Sequence, residues 1–301
     1  MNMSLVSFTK IRNNAVPSMK LAILDALDQI NYSFEKGIKK VVIKPNLCYY
    51  WDYSTGQTTD PRFVQALVDV LREKIIPNPS ISIVESDASA MKCKHAFKML
   101  GYEKLAQDSN VKLVNLSEDQ GDSAEVAVGK RTYRLRVPRT IRDADLRINV
   151  PKIKYGSLQI KITCALKNVF GCNPYPKKSR FHSELDEVII ATNKAMKFDL
   201  CIIDGNIISG IQPRRLGLTM ASEDPVAIDV AAARIIGLNS KPRYLKLASR
   251  EALGNMSFIQ RGEPLDYFKA RYSKQDAKVK LVGMAYNFVV RMGLGKRIGL
   301  E

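Results

Sequence analysis

Hydrophobic positions along the first half of the chain alternate between two periods. From Met19 to Lys36, Ile23, Leu27, Ile30 and Phe34 recur at helical spacing with Leu24 beside them, which predicts a helix. KKVVIKPN then reads as a short buried strand ended by Pro45. Asp60 stands where an N-cap belongs and Pro61 at the first helical position, so a helix is expected through Phe63, Leu67, Val70 and Leu71. ISIVES predicts a second strand, a short helix containing His95 closes at Gly101, and VKLVNL predicts a third strand. Helices alternating with short β-branched runs give an α/β class, a mostly parallel sheet with helices on both faces.

The period changes from Ala124 to Val137. AEVAVGKRTYRLRV alternates apolar and polar positions around Gly129-Lys130, a hairpin signal. DADLRINVP predicts another strand. ITCALKNVFG predicts a core helix with Ile162, Leu166 and Val169 on one side, Leu158 just upstream and Gly171 at its end. A helix from His182 to Met196, a strand in DLCIIDG and a candidate strand in LTMAS follow. Asp224-Pro225 opens a helix through Val226, Ile228, Val230, Ile235 and Ile236, closed by Gly237. The expected organisation is an α/β domain over residues 1–238 that carries an inserted or appended α+β portion, basic and hairpin-containing, at about 122–182. Residues 239–301 are expected as a basic helical C-terminal extension packed on it. Within it KVKLVGMAYNFVVRMGLGKR, Lys278 to Arg297, is amphipathic and reads either as a helix docked on the body or as a membrane-surface or partner-binding helix.

Composition narrows the class. With 46% apolar and 26% charged residues, the 301-residue chain has the content of a globular protein, not a disordered one. No apolar run approaches the ~20 residues of a membrane span, and the N-terminus lacks the order of a secretory signal, so a cytoplasmic location is expected. The five cysteines are scattered without a C-x-x-C pair, so no self-contained zinc or iron–sulfur motif is present. They are expected as small core residues. Net charge is +17, and residues 130–180 hold fourteen Lys or Arg against Asp143 and Asp145. Such a concentrated field suits phosphates, carboxylates, nucleic acid or an acidic partner, or serves as a solubilising surface.

In open α/β sheets ligands bind at the carboxyl ends of the strands. That rule selects Lys44, Pro45 and Asn46, then Glu85, Ser86 and Asp87, then Lys152 and Lys154, then Asp204, Gly205 and Asn206. Lys44, Lys152, Lys154 and Lys167 suit an anion, or one of them serves as a base where desolvation depresses its pKa. Glu85, Asp87, Asp204, Asp224 and Asp229 suit a hard cation or acid–base work. Lysines facing carboxylates are equally what structural ion pairs look like, and Asp224 before Pro225 reads first as an N-cap. Of the two histidines, His95 belongs to a surface helix. His182 is the candidate general acid or metal ligand, or only the neighbour of a helix start. Trp51 with Tyr49, Tyr50 and Tyr53 either stacks a ring or packs its loop on the core. SGIQPRRLG is a weak anion-loop candidate, and no dinucleotide, P-loop, nucleophile-elbow or zincin motif occurs.

Read in order, IKPNLC, TTDPRFVQALVDVL, ISIVESD, INVPKIK, ITCALKNVFG, His182, CIIDG and ASEDPVAIDVAAARIIG resemble the family called domain of unknown function 362. The similarity spans about Val41 to Gly237. It implies a cytosolic α/β protein of bacterial or archaeal type, and the pattern matches at Lys44, Pro45, Asn46, Lys152, Lys154, Lys167, Asn168, Gly171, His182, Asp204, Asp224 and Asp229. Some relatives carry an added ferredoxin-like cysteine segment that this chain lacks. Where relatives continue the PKIK segment into Thr-His, this chain has Tyr155-Gly156, and it has Gln212-Pro213 where relatives tend to show Gly-Pro.

The leading expectation is an enzyme acting on a small anionic, phosphate- or carboxylate-bearing substrate. Lys44, Asn46, Lys152, Lys154 and Asn168 would bind the anion, and His182, Lys167 and Asp204 would carry the chemistry. A divalent metal, if one is used, would sit at Asp204 and Asp229. The alternatives are a nucleic-acid-binding protein using the 130–180 region and an accessory factor for a redox or iron–sulfur system.

Overall fold

The computed structural model describes residues 3–155, 160–209, 213–238 and 241–272. The chain opens with β1 (Ser4–Lys10), α1 (Val16–Gln29), β2 (Lys40–Pro45), α2 (Pro61–Lys74) and β3 (Ser80–Glu85). Two short helices, α3 (Cys93–Met99) and α4 (Tyr102–Asp108), precede β4 (Lys112–Asn115). A hairpin of β5 (Gly121–Val128) and β6 (Arg131–Pro138), with a helical turn α5 (Arg139–Arg142), leads to β7 (Leu146–Val150). The two-residue strands β8 (Lys154–Tyr155) and β9 (Ile162–Thr163) come next, then α6 (Ala165–Phe170) and a 3-10 segment, Lys178–Glu184. The remainder is α7 (Leu185–Ala195), β10 (Leu200–Ile208), β11 (Arg214–Ser222), α8 (Pro225–Ile235), α9 (Arg243–Arg250), β12 (Phe258–Gly262) and α10 (Leu265–Arg271).

Eight strands form one sheet in the order β12-β1-β11-β10-β7-β2-β3-β4. Only β11 runs against its neighbours; every other pairing is parallel. Alternate residues of β10 show both faces covered. Leu200 and Ile202 join the core beneath α1 to α4, while Cys201 and Ile203 join the core beneath α6 to α10. A smaller cluster packs Val42 and Val84 against Val169 and Cys172. The α/β sheet read from the sequence is the architecture found.

Local chemistry explains the helix starts. The Asp60 carboxylate accepts the Arg62 N–H at 2.9 Å, and Asp224 accepts those of Val226 and Ala227, both at 2.8 Å. Several expected boundaries move. Helix α1 ends at Gln29, because Asn31 takes a positive φ of 55°, so Phe34 lies beyond it. Ile162 and Thr163 are not helical; they pair with Tyr155 and Lys154, and α6 starts only at Ala165. The helix expected from His182 begins at Leu185, after the 3-10 segment. Residues 241–272, expected as part of a helical extension, also supply β12, which pairs with β1 along the main sheet. The amphipathic Lys278–Arg297 stretch lies outside the described residues.

The start of α6 is held by a distant side chain. Asp229 on α8 accepts the N–H groups of Ala165 (2.6 Å) and Leu166 (3.2 Å) and faces the Tyr244 hydroxyl at 3.3 Å. Burial pushes its carboxyl up to about 7, with the two N–H bonds opposing. Asp229→Ala leaves these buried donors unpaired. The expected cost is about 1–3 kcal/mol of unfolding free energy, read as a lower urea midpoint. An unchanged midpoint would mean that α6 does not depend on this cap.

Candidate active site

The chain leaves β2 toward β3 on one side and later returns with β7 on the other, so the strand order reverses at the β2–β7 boundary. The crevice beyond such a point is where open α/β sheets hold ligands. Here the carboxyl ends of β2 and β3, together with β8 and α6, enclose a cavity of about 490 Å³. Lys44, Asn46, Lys154, Lys167 and Asn168 all line it, as does Lys178.

Register sets up two buried ion pairs under this cavity. Lys44 and Glu85 end neighbouring strands, and Lys44 Nζ meets Glu85 Oε2 at 2.8 Å with both side chains almost wholly buried. Lys44 also donates to the Pro45 carbonyl at 2.8 Å, and Glu85 accepts the N–H groups of Leu47 and Ser86. The second pair joins β7 to β10. Cys201 stands opposite Asn149, so three residues on, Asp204 lies level with Lys152, and Lys152 Nζ meets Asp204 Oδ2 at 3.1 Å. Asp204 is fully buried and accepts the N–H groups of Asp60 (2.9 Å) and Asn206 (3.1 Å). Lys152 and Asp204, expected at the rim, thus form a closed pair beneath the cavity and do not line it.

The remaining cavity lysines have no carboxylate of their own. Lys154 donates to the Gln57 carbonyl at 3.1 Å; burial pulls its pKa down, with Cys48 opposing. Lys178 donates to Ser86 Oγ and the Asp87 carbonyl, both at 2.6 Å, and burial lowers it as well. Lys167 can be reached from the cavity, yet protein surrounds its ammonium. Burial first, then Lys178 and Lys154, pull its pKa from 10.5 to about 7. Its nitrogen sits 4.0 Å from the centre of the Phe170 ring.

Asparagines and one glycine complete the floor. Asn168 donates to the Lys44 carbonyl at 3.2 Å and to Asn149 Oδ1 at 2.8 Å, while Asn149 donates to the Ala165 carbonyl at 2.9 Å. These bonds tie α6 to the strand ends. A Cβ on Gly171 would lie 3.2 Å from Lys44 Nζ and 2.8 Å from the Asn168 carbonyl oxygen, so only glycine lets the helix end approach the first ion pair. The Asn46 Oδ1 is buried without a hydrogen-bond partner among the described residues.

Other expected residues stand elsewhere. Asp229 caps α6 and Asp204 pairs with Lys152, so the two do not form the shared metal site expected of them. Among the described residues no three His, Cys, Asp or Glu gather as metal ligands. His182 belongs to the 3-10 segment, and its side chain lies outside the described residues, as do Gly156 and residues 210–212. The Tyr155 hydroxyl donates to the Ile236 carbonyl at 2.6 Å. Cys172 is buried and its thiol is pushed up to about 12 by burial, which makes it a core residue. Lys178 was hidden in the run KKSR, where nothing sets it apart from surface charge. Tyr49, Tyr50 and Trp51 do not pack their loop on the core; all three are exposed, and Tyr49 lines the cavity.

The family model described as Domain of unknown function (DUF362) matches residues 41–234. The chain belongs to this family. Every residue that lines the cavity falls within the match, whereas β1 and β12, which extend the sheet at its far edge, fall outside it. The thylakoid-associated protein sll1697 of Synechocystis sp. is 29% identical over 237 residues, 74% of this chain and 70% of that protein. The lactate racemase apoprotein of Thermoanaerobacterium thermosaccharolyticum overlays with a TM-score of 0.45 at 11% identity. That overlay covers 78% of this chain and 57% of the racemase, less than two thirds of the latter's length. Among the described residues no helix is long and apolar enough to cross a membrane.

Two outcomes are expected from this geometry. Glu85→Ala strands the Lys44 charge and should cost about 3–5 kcal/mol, while the double variant Glu85→Gln with Lys44→Met should recover most of that loss. Labelling of Lys167 by an amine-reactive reagent should reach half its maximal rate near pH 7. The groups facing it are Lys44, Lys154, Lys178 and Cys48, with Glu85 engaged by Lys44; half-maximal labelling near 10 would show that they do not shift it.

Proposed function

We propose that this protein is an enzyme acting on a small anionic, phosphate- or carboxylate-bearing substrate held in the cavity at the carboxyl ends of β2 and β3. The observation that carries this reading is the imbalance of charge inside the cavity. Four lysines line it against one acid, Glu85, and that carboxylate is already engaged by Lys44. Lys154, Lys167 and Lys178 have lost water without gaining a carboxylate, so a bound anion supplies the missing partner. At 4 Å one such contact is worth about 4 kcal/mol at an effective dielectric of 20. Lys154, Lys178 and Asn46 are suited to hold the anion, and Lys167, poised near neutrality, to take or give a proton. The donor set suits an anion better than a cation, because ammonium groups repel a metal ion.

The basic 130–180 segment supports nucleic-acid binding less well. Lys152 and Lys154 point inward and are 1% and 7% exposed, while Arg131 and Arg142 are engaged by Glu184 and by Asp122 and Asp143. The buried cysteines give a redox role no accessible thiol cluster among the described residues. A cytoplasmic location belongs to the same proposal.

Inorganic phosphate and small carboxylates should raise the melting temperature, and Lys154→Met and Lys167→Met should each weaken that effect by roughly tenfold in apparent affinity, about 1.4 kcal/mol. Affinity should fall as pH rises above 7, because Lys167 then loses the proton that attracts the anion. A melting temperature indifferent to every anion tried would sink the proposal.

A further inference from the structure

The four cavity lysines differ in what holds their nitrogens. Lys44 has Glu85 and the Pro45 carbonyl, Lys154 the Gln57 carbonyl, and Lys178 the Ser86 hydroxyl with the Asp87 carbonyl. Among the described residues Lys167 alone of the four has no oxygen partner, and the Phe170 ring is its neighbour. An amine removed from water, crowded by other cationic groups and without an oxygen acceptor for its charged form is a nucleophile at neutral pH, the Phe170 ring face being the one contact here that favours the ammonium. Its helix is fixed at the start by Asp229 and along its length by the Asn149–Asn168 bonds, so the amine is presented from a rigid base.

We propose that Lys167 forms a Schiff base with a carbonyl compound that carries a carboxylate or phosphate, the negative group being held by Lys154 and Lys178. This rests on the anion-binding reading above and adds the carbonyl to it. The uncharged Lys167 nitrogen adds to the carbonyl carbon, the C=O π bond breaks, and a carbinolamine forms after a proton passes from nitrogen to oxygen. A neighbouring ammonium, Lys178 or Lys44, gives a proton to the carbinolamine hydroxyl, which leaves as water. The nitrogen lone pair closes the C=N bond, and the positive charge passes from the donor lysine to the iminium. No oxidant or reductant is consumed. The iminium draws electrons from bonds at the adjacent carbon, the chemistry by which such lysines activate oxo compounds.

The test uses the full chain with pyruvate in one arm and dihydroxyacetone phosphate in the other, each reduced in place with borohydride and mapped by peptide mass. The expected result is a mass gain equal to the carbonyl compound less one oxygen atom, on the peptide containing Lys167. That gain should be lost in Lys167→Arg and suppressed by excess inorganic phosphate. The arm that labels tells whether the anion is a carboxylate or a phosphate. Adducts spread over surface lysines with Lys167 unmarked would overturn the proposal, and the wild-type map decides this even if Lys167→Arg fails to fold. If Lys167 stays unmarked while phosphate or pyruvate still raises the melting temperature, the Schiff base falls and the anion site stands. If neither ligand shifts the melting temperature and no adduct forms, both fall.

Discussion

Two ammonium–carboxylate pairs removed from water, Lys44 with Glu85 and Lys152 with Asp204, tie the ends of β2, β3 and β7 to one another and to the middle of β10. Each ion costs several kcal/mol to desolvate, and the mutual attraction repays this only when the remaining lone pairs are also bonded. Here they are. Glu85 collects the N–H groups of Leu47 and Ser86, and Asp204 those of Asp60 and Asn206. These pairs engage Glu85 and Asp204, while the other acids nearby, Asp60 and Asp87, are taken by Arg62 and Lys92. The lysines added by β8, α6 and the 3-10 segment are left in surplus, and the electropositive character of the cavity follows from that arithmetic of partners.

Rigidity reaches the cavity by a separate route. Helix α6 has only six residues, too few to persist by itself. Asp229 holds its start, the Asn149–Asn168 bonds hold its side, and Gly171 lets its end settle against Lys44. A carboxylate that the sequence offers as a metal ligand is therefore employed in fixing the peptide that carries Lys167.

The parallel part of the sheet was legible because β-branched runs alternate with helices whose caps, Asp60 and Asp224, announce themselves. β1 and β12 were not. SLVSFTK lacks clean alternation, and FIQRG is a polar edge strand that pairs only with β1, so neither carries the apolar run of a central strand. The list of strand-end residues was sound, but depth was invisible in it. Lys152 and Lys154 lie two residues apart, and only the register of β7 against β10 decides that the first closes onto Asp204 while the second opens into the cavity. Lys178 could not be singled out, because its value comes from Ser86 and Asp87, more than ninety residues earlier in the chain.

The Tyr49–Trp51 rim has a different standing from the floor. Its loop is fixed further along, where Gly56 lies directly against the backbone of Ile208 and Ser209, and at the tip only the Tyr50 hydroxyl is tied down, accepting the Lys92 N–H at 3.0 Å; Trp51 is 56% exposed. Replacing a floor lysine or its acid disturbs two strands at once, whereas replacing a rim aromatic disturbs none. Substitution at Tyr49 or Trp51 therefore costs the fold little. The entrance can be recomposed, and with it the shape of molecule admitted, without touching the ion pairs of the floor.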